Sequence, residues 1–338
     1  MTEFVRNLWY MAAWTHEVPP DDFLARRLLD RPWLIWREED GLWAMVADRC
    51  PHRFVPLSKG RFSEGRIACG YHGLTFDGSG ACVHNPFGGP IPEAARLATC
   101  PVVERHGGLW FWPGDADKAD PALIPDFAFI DAGATVERAV YLMDAQYQLI
   151  ADNLMDLSHV EFLHVESFGT NGSLLTNGAQ TVQQDQDGAI WNKWDITDAQ
   201  PPAWANPMLE PGQLIDQRLH IRWHAPASMA LYIGIARAGT AGADLVVPPM
   251  ANPHILTPET ATTTHYFFTH SPGEHEAAQA LRVFLEEDEP MIRAQQEALA
   301  GQDFWDARPV VLPSDAAAIG VRRRMMQLQR AEAAIGAA

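Results

Sequence analysis

Short apolar runs dominate the first third of the chain: Trp33-Leu34-Ile35-Trp36, Leu42-Trp43-Ala44-Met45-Val46 and Leu109-Trp110-Phe111-Trp112. Gly, Pro and Asp separate them, as in Glu39-Asp40-Gly41 and Phe76-Asp77-Gly78-Ser79-Gly80. Runs this short, rich in aromatic and β-branched residues, predict strands joined by turns, and together they predict an antiparallel β-sandwich. The segment Pro113-Gly114-Asp115-Ala116-Asp117-Lys118-Ala119-Asp120-Pro121 is polar and bracketed by proline. It marks a boundary closing near Pro125, so residues 1–124 and 125–338 are expected to form two domains. Beyond it the pattern predicts an amphipathic helix around 145–165, strand-like runs at 218–236 and 262–270, and a long helical segment from 274 to 300. Strands and helices do not alternate there, which predicts an α+β domain with an antiparallel sheet.

Composition adds constraints. The chain has 338 residues, 47% of them hydrophobic, with 12 Trp, which is ample for two packed cores. A formal charge of −18 argues against nucleic acid or an anionic membrane surface as partner and suits a protein with a basic docking patch. No stretch approaches 18 apolar residues, so no membrane span is expected. The start, Met1-Thr2-Glu3-Phe4-Val5-Arg6-Asn7, lacks the basic and apolar regions of a signal peptide.

The chemistry begins with a spacing. Cys50-Pro51-His52 is followed, after 16 residues, by Cys69-Gly70-Tyr71-His72. Two Cys and two His in paired short loops are the ligand set of a Rieske [2Fe–2S] centre, in which two His replace two Cys on one iron. Neutral imidazoles make that cluster less negative than a four-Cys one, so it accepts an electron more readily. Zinc is the competing reading, since Cys2His2 is also a zinc set. Structural zinc loops pair like ligands, whereas each loop here mixes one Cys with one His, which favours the two-iron cluster. Cys82 and Cys100 remain. A cluster that needs thiolates places the chain in a reducing cytoplasm, where these two are expected as thiols.

A second constellation lies in Asp152-Asn153-Leu154-Met155-Asp156-Leu157-Ser158-His159-Val160-Glu161-Phe162-Leu163-His164. On a helical wheel at about 100° per residue, Asn153, Asp156, His159 and His164 fall within an arc of about 140°. A spacing of five fits an ideal helix poorly, so a bulge or helix end is expected between the two His. Two neutral imidazoles need an anionic partner to hold Fe(II), as in the 2-His-1-carboxylate facial triad, which leaves positions open for O2 and substrate. In Leu281-Arg282-Val283-Phe284-Leu285-Glu286-Glu287-Asp288-Glu289-Pro290, Asp288 sits inside the apolar stripe with Phe284, Leu285 and Ile292, while Glu286 and Glu287 point elsewhere. An inward carboxylate is costly unless paired or bound to metal, so Asp288 is the candidate third ligand, with a buried salt bridge as the alternative. Pro290 removes one helical hydrogen bond and is expected to loosen the turn beside it.

With Val5-Arg6-Asn7-Leu8-Trp9-Tyr10, Cys50-Pro51-His52-Arg53, Cys69-Gly70-Tyr71-His72-Gly73, Asn153 through His159, and Glu287-Asp288, nearly the whole chain resembles the terminal oxygenase (α) subunit of Rieske non-haem iron oxygenases. It is most similar to the short monooxygenase branch: the oxygenase components of vanillate O-demethylase, dicamba O-demethylase and toluenesulfonate methyl-monooxygenase. His254-Ile255-Leu256-Thr257-Pro258-Glu259-Thr260 and His265-Tyr266-Phe267-Phe268 also resemble the dicamba enzyme.

The resemblance implies a Rieske β-sandwich followed by a helix-grip catalytic domain, assembled as a head-to-tail homotrimer. Cys50 and Cys69 would hold one cluster iron, and His52 and His72 the other. His159, His164 and Asp288 would hold the mononuclear iron, with Asn153 nearby. Asp156 matches the family's bridging acid, which hydrogen-bonds a cluster His of the neighbouring subunit. His254 matches a substrate contact, whereas Ala230-Leu231-Tyr232 stands where the dicamba enzyme places a substrate-binding Asn. The implied activity is monooxygenation of an aromatic acid with O2, by O-demethylation of a vanillate-like methyl ether or by hydroxylation of a methyl or ring carbon. A non-enzymatic Rieske electron carrier is the remaining alternative. The chain has no G-x-G-x-x-G and no cysteines for a plant-type ferredoxin, so electrons are expected from a separate NAD(P)H-dependent reductase, directly or through a ferredoxin.

Overall fold

The computed structural model describes residues 4–131, 136–240 and 242–336. Two compact bodies are present: Met1–Asp126 with Thr257–Ala261, and Phe127–Leu256 with Thr262–Ala338. The first carries strands β1 (Tyr10–Trp14), β2 (Leu24–Leu28), β3 (Arg31–Arg37), β4 (Trp43–Ala47), β5 (Arg61–Ser63), β6 (Arg66–Ala68), β7 (Thr75–Phe76), β8 (Cys82–His84), β9 (Val102–Arg105) and β10 (Gly108–Phe111). They form three small antiparallel sheets, ordered β1-β10-β9, β2-β3-β4 and β5-β6-β7-β8. The unbroken apolar run in β3 follows from burial on both faces. Trp33 and Ile35 join Tyr10, Met45, Leu109 and Phe111 in one core. Leu34 and Trp36 join Val46, Ile67 and Phe76 in a second core, which also takes in Cys50 and Cys69. Successive side chains of a strand point to opposite faces, so a strand between two cores reads as continuous hydrophobicity.

The second body is built on a seven-stranded sheet. Its strands are β11 (Glu137–Met143), β12 (Gly178–Gln184), β13 (Ile190–Ala199), β14 (Ile215–His224), β15 (Ser228–Arg237), β16 (Leu245–Pro258) and β17 (Thr264–His270). The spatial order is β11-β17-β16-β15-β14-β13-β12. The single strand-like run at 218–236 resolves into β14 and β15, because Ala225-Pro226-Ala227 interrupts it. In β14, Ile215, Gln217, Leu219, Ile221 and Trp223 alternate inward, the period-2 pattern of a half-buried strand. Helices α1 (Tyr147–Met155), α2 (Val160–Leu163), α3 (Ser173–Asn177), α4 (Glu274–Leu281), α5 (Glu289–Leu299) and α6 (Ala316–Gly336) complete this body. The segment from 274 to 300 is helical as expected, but Arg282–Asp288 is π-helical.

Helix α6 is anchored to α1 by one ion pair. Arg322, buried in α6, donates from Nε to both oxygens of Asp152 (3.0 and 2.7 Å) and from Nη2 to Oδ2 (2.5 Å). Its guanidinium also lies 3.8 Å over the Phe304 ring. Breaking one side of a buried pair strands the other charge, a cost of about 3–5 kcal/mol. Arg322→Met is therefore expected to lower stability by that amount, read as an earlier urea midpoint at unchanged slope; a shift worth under about 1 kcal/mol would show that the pair contributes little.

Candidate metal centres

The two Cys–His loops, between β4 and β5 and between β6 and β7, share one construction. The Cys N–H donates to the carbonyl five residues on, Cys50 to Val55 (3.0 Å) and Cys69 to Leu74 (2.8 Å). The N–H four residues on returns to the Cys carbonyl, Phe54 to Cys50 (2.9 Å) and Gly73 to Cys69 (2.9 Å). That fourth position has positive φ in both, 61° at Phe54 and 74° at Gly73. Glycine adopts it without cost; the Phe54 ring is held beneath the Arg49 guanidinium at 4.2 Å. Buried Asp48 ties down the first loop by accepting from Ser58 N–H (2.7 Å) and Ser58 Oγ (2.6 Å).

Cys50 and Cys69 are buried in the same core. Burial raises the Cys50 thiol, opposed by the backbone N–H groups of His52 and Arg53. The rings of His52 and His72 meet edge to face at 4.7 Å between centroids. His72 Nδ1 is buried with no hydrogen-bond partner among the described residues. A buried ring nitrogen without a partner is costly. Beside two inward thiols it forms the donor set a [2Fe–2S] cluster takes, so these loops fit the group. Cys82 and Cys100 are free thiols; burial pushes Cys100 up to about 12.

In the second body the chain leaves α1 at Met155, where buried Asn192 of β13 donates to the Met155 carbonyl (2.7 Å). Asp156 then caps a 3-10 turn, Leu157–His159, its Oδ1 accepting from Ser158 N–H (3.0 Å) and Oγ (2.6 Å). His159 ends that turn and His164 ends α2. The main helix ends at Met155, ahead of both His, and a 3-10 turn and α2 carry His159 and His164, so the continuous wheel does not describe the segment; tertiary placement brings the ligands together instead.

His159 Nδ1 bonds the Asp156 carbonyl, and His164 Nδ1 bonds Glu287 Oε2 (2.7 Å). With both Nδ1–H groups donating, each Nε2 presents a lone pair. The two Nε2 atoms lie 3.2 Å apart, and Asp288 Oδ1 stands 3.6 Å from His159 Nε2 and 3.2 Å from His164 Nε2. Lone pairs and a carboxylate this close repel unless a cation sits among them. Three donors about 2.1 Å from an octahedral ion stand about 3 Å apart on one face, so His159, His164 and Asp288 fit a metal ion. Asn153 Nδ2 donates to Asp288 Oδ1 (3.1 Å), orienting the carboxylate.

Glu287 corrects the sequence reading. It faces the site, because Arg282–Asp288 is π-helical and a wheel drawn for an α-helix rotates it away. Pro290 stands two residues past the end of that turn, and its missing N–H is the sequence signal for the wider turn. Arg282 Nε closes the chain on Glu287 Oε1 at 2.9 Å. Partners that orient metal-bound His are worth about 10–100-fold in metal affinity. Glu287→Gln is expected to weaken Fe(II) binding by that factor, read by iron titration of the purified variant, while unchanged binding would show that Asp156 and Asp288 suffice.

A cavity of about 360 Å³ opens on these ligands. Leu219, Ile221, Leu231, Ile233 and Met250 line its floor, and Val283 and Phe284 face them. His254 lines it too, its Nδ1 bonded to the Tyr266 hydroxyl, with Phe284 at 5.8 Å. Burial pushes His254 down to about 4 and holds Tyr266 well above its ordinary value, so both are neutral. Tyr266 and Glu287 are the supporting residues that sequence reasoning did not assign. The Ala230-Leu231-Tyr232 stretch contributes apolar Leu231 to the cavity.

Residues 8–98 match the Rieske [2Fe-2S] domain, and residues 143–331 match the vanillate O-demethylase oxygenase C-terminal domain. The chain is 35% identical to the oxygenase component of dicamba O-demethylase from Stenotrophomonas maltophilia, over 98% of this chain and 99% of that one. It is 31% identical to a vanillate O-demethylase oxygenase subunit from a Pseudomonas species, over 89% and 95%. A crystal structure of dicamba monooxygenase bound to 3,6-dichlorosalicylic acid superimposes with a TM-score of 0.88 at 34% identity, covering 98% of this chain and all of that one. The paired Cys–His loops and the His-His-Asp triad beneath an apolar cavity thus stand in a chain that belongs to the Rieske oxygenases, in the family of vanillate O-demethylase oxygenase subunits.

Proposed function

We propose that this chain is the oxygenase component of a multicomponent Rieske monooxygenase that O-demethylates a methoxylated aromatic acid. The observation that carries the reading is the convergence of His159 Nε2, His164 Nε2 and Asp288 Oδ1 within 3.6 Å on the lining of an apolar cavity. Cys50 and Cys69 hold one cluster iron, His52 and His72 the other, and His159, His164 and Asp288 the mononuclear iron. When bound, these groups supply single electrons and O2 activation. The protein's own part is placement. The cavity floor and Phe284 sandwich an aromatic ring and exclude water, His254 offers its Nε2 to a polar substituent, and Asn153 fixes the carboxylate ligand. Overall, ArOCH3, O2, two electrons and two protons give ArOH, formaldehyde and water; the hydroxylated methyl collapses as a hemiacetal.

The names of the relatives, as components or subunits of O-demethylases, support a separate NAD(P)H-dependent reductase. The four free thiols favour a reducing cytoplasm; no helix among the described residues is long and apolar enough to cross a membrane. Exposed Phe54, Tyr71 and Phe87 surround the cluster loops, an apolar patch that a neighbouring subunit of a homotrimer would cover. There Asp156 of one subunit would meet a cluster His of the next. The test is turnover with a surrogate reductase, NADH and a panel of methoxylated and methylated aromatics. Formaldehyde in step with NADH consumption is expected; a hydroxylated product that keeps its carbon would favour methyl or ring hydroxylation.

A further inference from the structure

The place of the His254 ring proton follows from its neighbours. His254 on β16 and Tyr266 on β17 are both buried, and the imidazole Nδ1 meets the phenol oxygen. A neutral imidazole has one N–H and one lone pair, and a phenol has one proton to give. If Nδ1–H donated, the Tyr266 O–H would have no acceptor, because it makes no other hydrogen bond among the described residues. His254 Nε2, also without a partner among them, would be a second buried orphan. If Tyr266 donates instead, both atoms of the contact are satisfied and only Nε2–H is left over. A buried polar group without a partner is costly, so Tyr266 donates and His254 carries its proton on Nε2. Burial keeps the phenol protonated and the imidazole neutral, as this arrangement needs. Packing holds both rings: Phe284 lies edge-on to each, 5.8 Å from His254 and 5.0 Å from Tyr266, and Phe268 lies 5.7 Å from Tyr266. His270, the other imidazole on the cavity lining outside the metal triad, is already committed. Its Nδ1–H donates to the Ser271 carbonyl (2.8 Å), and its Nε2 lies 3.9 Å from Glu137 Oε2. His254 therefore supplies the spare imidazole N–H of this lining, and it does so because of Tyr266.

We propose that Tyr266 is a positioning residue for substrate: by donating to His254 Nδ1 it fixes the tautomer that turns Nε2–H into the cavity, so that the site takes a group presenting an acceptor oxygen there. This deepens the demethylase reading and rests on its placing an aromatic acid in this cavity. The test is equilibrium dialysis of the iron-loaded full chain, without reductant, with 4-methoxybenzoate as the probe. Tyr266→Phe removes one oxygen and keeps the ring that packs on Phe268 and Phe284. It is expected to weaken binding about tenfold, a difference of about 1.4 kcal/mol, with iron content and melting temperature at parental values. The same substitution made in His254→Leu is expected to weaken binding no further, because Tyr266 acts only through the imidazole; a merely structural role would give the same added loss in both backgrounds. Parental affinity in Tyr266→Phe, additive losses, or no binding of the probe by the parent would each overturn the proposal. Should either variant fail to fold, the parent decides. With zinc at the mononuclear site, its 15N-histidine spectra are expected to show His254 protonated at Nε2 alone, and a proton at Nδ1 would overturn the assignment. Formaldehyde release, assayed separately with reductase, keeps the two readings apart. Release with additive losses overturns only the role of Tyr266, and coupled losses without release overturn only demethylation.

Discussion

Asp288→Ala is expected to lose one iron per chain, from three to two, while keeping the cluster's colour and its low-g EPR signal on reduction. Catalytic turnover should fall below about a thousandth of the parent, because the metal that carries O2 chemistry is gone. The triad has a single anionic member, and its oxygen stands 3.2 Å and 3.6 Å from two lone-pair nitrogens. Without it, two neutral imidazoles remain, and Asn153 Nδ2 loses its acceptor. The cluster loops are untouched, since Cys50, His52, Cys69 and His72 are held by their own turn hydrogen bonds in the other body. Glu287→Ala is the control: Glu287 contacts His164 Nδ1 and not the convergence point, so it should weaken iron binding without abolishing it. Full retention of three irons by Asp288→Ala would remove Asp288 from the ligand set. Finding zinc at Cys50, His52, Cys69 and His72 would remove the cluster.

The chemistry was more legible in the sequence than the path of the chain. Cys50, His52, Cys69 and His72 stand in two short loops of matching spacing, so the motif is visible in the sequence, while the Asp48–Ser58 tie and the shared core that hold the loops are not. Asp288 betrayed itself as a carboxylate inside an apolar stripe, and it is 4% exposed. Glu287 could not be placed, because a π-helical turn rotates side chains in a way that an α-helical wheel misassigns. Helix α6 carries a weak sequence signal because its buried face mixes Ala317, Ala318 and the charged Arg322 with Ile319, Val321 and Met325. Alanine gives little periodic hydrophobic signal although it is the best helix former. The Asp152–Arg322 pair spans 170 residues and has no local trace. The cavity floor is likewise a property of three strands in register, visible only after β14, β15 and β16 are paired.

Asp156→Asn is expected to keep both metal sites yet slow turnover by roughly 100-fold. The substitution is conservative for folding. Asp156 Oδ1 caps the 3-10 turn by accepting from Ser158, and an asparagine oxygen caps as well as an aspartate. The backbone carbonyl that holds His159 Nδ1 is unchanged. What the variant loses is the negative charge and the second carboxylate oxygen, which Ser158 does not engage. That oxygen is suited to accept the ring N–H of a metal-bound His, a contact that raises ligand basicity and fixes ring orientation. In the proposed trimer the His belongs to a neighbouring subunit's cluster. Asp156 would then connect that cluster to His159 through its own backbone, three residues away. An ordinary structural acid would behave differently: its loss would lower thermal stability and leave the rate per folded molecule intact. Single-turnover kinetics separate the two. The pre-reduced variant, mixed with substrate and O2, should reoxidise its cluster slowly while its iron content and melting temperature match the parent. Reoxidation at the parental rate would take Asp156 out of the electron path and leave it as the cap of the turn that presents His159.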